Sequence, residues 1–151
     1  MPLPDFLINS SVLICENVLM EADQVPSLIR IVDIYLVSDP PRDAPVNAIG
    51  LIEPVVFMKL QARPGYKGTH GLRLRLINVA GKESILVKER QCTFGGKDDT
   101  APTGVSLRVQ LNLGVTNLGT CYVCVDLDGA EITRVPITLM RKPNESEEPI
   151  P

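Results

Sequence analysis

The chain has 151 residues, 44% of them hydrophobic, and a formal net charge of −3. That length suits one domain burying roughly two-thirds of its unfolded surface, and no apolar run approaches the ~18 residues a membrane span needs. Met1-Pro2-Leu3-Pro4-Asp5 lacks the basic and apolar regions of a signal peptide, so a cytoplasmic protein with no membrane partner is expected.

Phe6 to Met20 carries Val12 to Cys15 and Val18 to Met20 on either side of the polar Glu16-Asn17, which predicts one long or two short strands. Glu21 to Pro26 supplies turn residues. Ser27 to Val37, apolar on both faces, predicts a strand central in its sheet. An antiparallel hairpin with Val18 opposite Leu28 brings Ile14 to Val32 and Glu16 to Arg30, a charge pair that fixes register. Ser38 to Gly50 reads as a proline-rich loop, Val55 to Ala62 as a strand and Arg63 to Gly68 as a turn. Thr69 to Asn78 alternates, with Leu72, Leu74 and Leu76 inward and Arg73 and Arg75 outward, near Lys59. Ala80 to Glu83 turns the chain, and Ser84 to Lys88 is a short strand.

Gln91 to Gly104 is expected to be a long connection, either flexible or crossing between sheets. Val105 to Leu113 alternates again, with Val105, Leu107 and Val109 inward and Ser106, Arg108 and Gln110 outward. In Thr120 to Leu127 the residues Cys121, Val123, Val125 and Leu127 share one face, and Asp128-Gly129 then turns the chain. A three-residue loop ending at Ala130 pairs Val123 with Val135 and Cys121 with Ile137. A two-residue turn would set Arg134 against the core, so the first register is preferred. Pro136 cannot donate to a ladder, which places the return strand, Glu131 to Leu139, at a sheet edge or turns that position outward.

About eight strands, two long connections and no helical periodicity predict an all-β fold, an immunoglobulin-like Greek-key β-sandwich of seven to nine antiparallel strands. Residues 1–140 form that domain and 141–151 a disordered tail.

Chemistry is sparse. His70 is the one histidine, and the strand pattern sets it on the leucine face, where a structural role outweighs that of a base. Cys121 and Cys124 point to opposite faces of a strand, so with Cys15 and Cys92 they read as reduced thiols in a core; no metal, cofactor or catalytic residue is expected. Asp98 and Asp99, with Asp39 and Asp43, would bind calcium only if both long loops converge. Phe94 to Lys97 lacks the spacing of a phosphate loop. Glu145, Glu147 and Glu148 carry −3 in the tail, which leaves the body near neutral and argues against a nucleic-acid partner.

The segments around Cys15, Glu16 and Val18, then Ile31 and Asp33, and finally Gly119, Tyr122, Asp128 and Gly129 together resemble a family of small bacterial proteins of unknown function. The resemblance spans most of residues 6–140, departs in the Gly119 to Tyr122 spacing, and implies a β-sandwich with no catalytic residues. The expected function is a non-enzymatic interaction or assembly domain, binding a protein partner or itself through a sheet face or edge. Lys59, Arg73, Arg75 and Arg108 form its expected basic strip, and Glu131 and Thr133 its docking rim. The alternatives are a loop-based ligand or calcium-dependent surface binder and, third, an enzyme.

Overall fold

A computed structural model describes residues 3–20, 22, 25–37, 49–95, 100 and 103–141. The described residues are all-β, in eleven strands: β1 (Leu7–Met20), β2 (Pro26–Ile31), β3 (Ile34–Val37), β4 (Gly50–Ile52), β5 (Val55–Ala62), β6 (Gly68–Ile77), β7 (Glu83–Phe94), β8 (Thr103–Gln110), β9 (Leu113–Val115), β10 (Gly119–Leu127) and β11 (Ala130–Arg141). They form a four-stranded sheet β2-β1-β5-β8, a five-stranded sheet β3-β11-β10-β6-β7 and the small pair β4-β9.

Alternation along the strands creates the core between the two large sheets. Ile14, Val56, Met58 and Leu60 enter it from the first, and Leu72, Leu74, Val123, Val125 and Ile137 from the second, all essentially without solvent contact. Burial of each such side chain contributes about 1.5–3 kcal/mol. A second, smaller apolar cluster joins Cys15, Val18, Val55 and Phe57.

The β1–β2 hairpin has the expected register. Val18 pairs with Leu28, Val32 N donates to Ile14 O over 2.8 Å, and Arg30 meets Glu16 at 3.2 Å. With 75% and 43% of those side chains exposed, the pair is worth about 0–1 kcal/mol and serves register more than stability.

The segment expected as one central strand, Ser27 to Val37, divides at Val32-Asp33. Its first half stays on β1, whereas Asp33 O accepts from Thr138 N and β3 runs parallel to β11. The expectation of antiparallel strands alone is therefore corrected, and so is the strand count. β7 also runs on through Gln91–Phe94, pairing back to Gly68, where a connection was expected. Asp39, Asp43, Asp98 and Asp99 lie outside the described residues, as does the expected tail beyond Arg141.

The closing hairpin reaches its register by an unexpected route. Asp128 (φ 51°) and Gly129 (φ 82°) make a two-residue turn with both central residues left-handed, pairing Leu127 with Ala130 and Asp126 with Glu131. A bulge then inserts the buried Ile132, after which Val125 faces Thr133, Val123 faces Val135 and Cys121 faces Ile137. The bulge restores the core pairing that the sequence had assigned to a longer loop.

Candidate functional site

Three groups of polar side chains stand out, and each is set by strand register. The first is at the end of the fold where β6 begins. Asp128, at the hairpin tip, accepts from Gly71 N through Oδ1 over 2.9 Å, while its Oδ2 lies 2.5 Å from His70 Nδ1. With Nδ1–H donating to that carboxylate, His70 Nε2 is free to accept from the Tyr66 hydroxyl at 2.6 Å. Phe6 stacks on both rings, at 4.2 Å from His70 and 4.6 Å from Tyr66, and Phe94 meets all three edge-on. The hydrogen bond from His70, then that from Gly71 N, holds the Asp128 carboxyl below its ordinary value. Leucine-face alternation located His70 correctly; neither Tyr66 nor Asp128 was legible as its partner.

The second group covers the outer face of the five-stranded sheet. Asp126, only 2% exposed, accepts from Arg73 Nε at 3.0 Å, from Arg75 Nε at 2.7 Å and from Arg75 Nη2 at 3.0 Å. Arg75 also reaches Glu83 and Glu131, and Glu131 is gripped by Arg134. Burial alone would raise the Asp126 carboxyl, but hydrogen bonds from Arg75 and Arg73 outweigh it and the carboxyl sits below its ordinary value. Cys124 is pushed up to about 11, by burial first and then by its hydrogen bond to Glu131.

The third group is on the outer face of the four-stranded sheet. Pairing across β1, β5 and β8 gives the rows Asn9/Gln61/Gly104, Ser11/Lys59/Ser106, Leu13/Phe57/Arg108 and Cys15/Val55/Gln110 on the face away from the main core, where Cys15, Val55 and Phe57 are buried in the second apolar cluster. These rows hold the cations Lys59 and Arg108, three amides, two hydroxyls and no carboxylate. Both cations are exposed; Arg108 Nη2 makes one long contact of 3.4 Å to Asn17 Oδ1.

The expected single basic strip does not exist. Lys59 and Arg108 lie on one sheet, and Arg73 and Arg75 lie on the other, where carboxylates neutralise them. Glu131 is 11% exposed within that network, and Thr133 pairs with Val125 on the core side. The end of the expected docking rim, Thr138 and Leu139, is paired with β3.

Other chemistry is thin. All four cysteines are free and buried, and burial raises each thiol. Such thiols are poor nucleophiles and poor ligands. No group of three or more His, Cys, Asp or Glu among the described residues could hold a metal. A cavity beside Leu76, Leu113 and Cys121 measures about 30 Å³. An apolar cavity of about 150 Å³ is what takes up a benzene ring, so no organic ligand fits here. No helix among the described residues is long and apolar enough to cross a membrane.

No protein-family model matches the chain, and no curated protein matches it in sequence. Among solved structures, it is similar to the Pseudomonas fluorescens alkylpurine DNA glycosylase AlkC bound to DNA containing an abasic-site analogue. The TM-score is 0.44 and the identity 8%, over 71% of this chain; the chain spans 27% of that protein. That structure contains bound DNA; the expectation of a protein-binding or self-assembling domain with no nucleic-acid partner is withdrawn, because the fold splits its basic strip between two sheets and pairs the end of its docking rim with β3. It had rested on a net charge that averages over both sheets and on a docking rim that the fold partly covers.

Proposed function

We propose that this chain is a non-enzymatic β-sandwich of immunoglobulin-like Greek-key type. Its ligand is the phosphate backbone of a nucleic-acid strand, held on the outer face of the β2-β1-β5-β8 sheet. The carrying observation is charge segregation: in an acidic chain, the rows across β1, β5 and β8 present two exposed cations and no anion, with the apolar cluster of Cys15, Val55 and Phe57 at one end and amides and hydroxyls at the other. Phosphates are bound by such groups without regard to sequence. Lys59 and Arg108 sit on neighbouring strands two residues apart in register, a separation of about 8 Å from strand spacing and rise, which suits successive phosphates of an extended strand. The finer fold reading is supported by the sheet orders, since β1-β5-β8 and β11-β10-β6-β7 follow the A-B-E and G-F-C-C′ arrangement of immunoglobulin domains. The non-enzymatic reading is supported by the four buried, weakly acidic thiols.

Fluorescence anisotropy with a labelled short oligothymidylate across a salt series tests this reading. Two phosphate contacts predict weak binding with a log–log salt slope of about −1.4. Absence of binding at low salt, or equal affinity for polyglutamate, would overturn it.

A further inference from the structure

We infer that Tyr66 is a base-activated phenol, a site at which the chain accepts a covalent group from an acyl- or sulfonyl-type electrophile. The argument uses the geometry of Tyr66, His70 and Asp128 and is independent of the nucleic-acid face. An activated nucleophile needs a base within hydrogen-bond reach and a third group that orients the base. Tyr66 Oη is 2.6 Å from His70 Nε2, and Asp128 fixes the other imidazole nitrogen at 2.5 Å. Asp128 is itself fixed by Gly71 N, so the three groups form a line from phenol to carboxylate.

Tyr66 is half-buried at the edge of the core, packed against Phe6 and Phe94. It lies in a turn whose neighbours Arg63, Pro64, Gly65 and Lys67 are exposed. A Cβ at Gly68 would fall 2.6 Å from its hydroxyl, so the space around the phenol oxygen depends on glycine there. The Arg63 guanidinium stands over the ring, 5.6 Å from its centroid, a cation–π contact that holds the ring in place. The other two tyrosines lack this arrangement. The Tyr35 hydroxyl is buried without a hydrogen-bond partner among the described residues, and Tyr122 lies under Arg134, with no imidazole beside it.

With an arylsulfonyl fluoride the step is explicit. Oη attacks sulfur, the O–S bond forms, the S–F bond breaks and fluoride leaves. The phenol proton passes to Nε2, and the imidazolium is held by Asp128 until water takes the proton.

Peptide mapping by mass spectrometry, after exposure of the full chain to an arylsulfonyl fluoride, reads the rate at each tyrosine. Tyr66 should label at least about tenfold faster than Tyr122, the lower end of general-base assistance being larger still, and Tyr35 should stay unlabelled. His70→Gln, whose amide can still accept a hydrogen bond, should reduce Tyr66 to the rate of Tyr122 without changing Tyr122. Equal rates in the native chain, or an unchanged ratio in the variant, would overturn the inference. Should the variant fail to fold, the native ratio compared with that in urea decides: loss of the preference on unfolding supports the inference, and its persistence overturns it.

Discussion

Asp128 Oδ2 stands 2.5 Å from His70 Nδ1 although 58 positions separate the two residues. The tip of one hairpin is thereby tied to the start of β6, and through Phe6 to the entry of β1. Asp128→Asn keeps a residue that tolerates the left-handed turn but removes the charge that both His70 and Gly71 N address. At neutral pH the expected loss is about 1 kcal/mol, kept small because 54% of the side chain is exposed. The folded-state carboxyl titrates below its unfolded value of about 3.9. Its contribution is thus present above that pH and disappears as pH falls through the lower folded value. Thermal melts from acid to neutral pH should show this slope in the native chain and a flatter one in the variant.

Asp126→Ala should be far more damaging. It leaves Arg75, 14% exposed, without its principal partner, and removing one member of a buried ion pair costs about 3–5 kcal/mol. Arg73→Glu, which an outward-facing position would tolerate, should also destabilise, because it sets a carboxylate against Asp126. Urea midpoints for both variants check this. A wild-type midpoint for Arg73→Glu would mean that Arg75 alone satisfies Asp126.

Leu74→Asp and Val109→Asp should differ in severity. Both positions face the core, but Leu74 is fully buried on a central strand, whereas Val109 is half-buried on the edge strand β8. An unpaired charge at Leu74 costs several kcal/mol and should unfold the domain. At Val109 the carboxylate can reach water, so a folded but weakened protein is expected. Circular dichroism with urea titration separates the two outcomes.

Local pattern carried most of the strands. Alternation placed Leu72, Leu74, Val123 and Val125 inward, and the pairing of Val18 with Leu28 followed from matching apolar faces. What stayed hidden depends on partners distant in sequence. The segment Ser27 to Val37 has uniform β character, and nothing local marks Val32-Asp33 as the place where the chain changes sheets. The Ile132 bulge is equally silent, because a two-residue turn plus one extra residue and a three-residue loop give the same core register. The candidate face was obscured for a similar reason. Lys59 and Arg108 were recognised as outward, but net charge could not show that Arg73 and Arg75 belong to the other sheet and are neutralised by Asp126, Glu83 and Glu131.

That separation of charges leads to the sharpest test of the binding face. Lys59→Ala and Arg108→Ala each remove an exposed cation from rows that contain no carboxylate. Neither side chain supports the core, so stability should stay within about 0.5 kcal/mol of wild type. Each substitution should lower the magnitude of the salt slope for oligothymidylate binding by about 0.7, one phosphate contact, and the double variant should abolish detectable binding. Arg134→Ala serves as the control, since this guanidinium is committed to Glu131 on the opposite sheet and its removal should leave the slope unchanged. If Arg134→Ala flattens the slope while Lys59→Ala and Arg108→Ala do not, the strand binds the five-stranded sheet, and the neutralising network has to open to admit it.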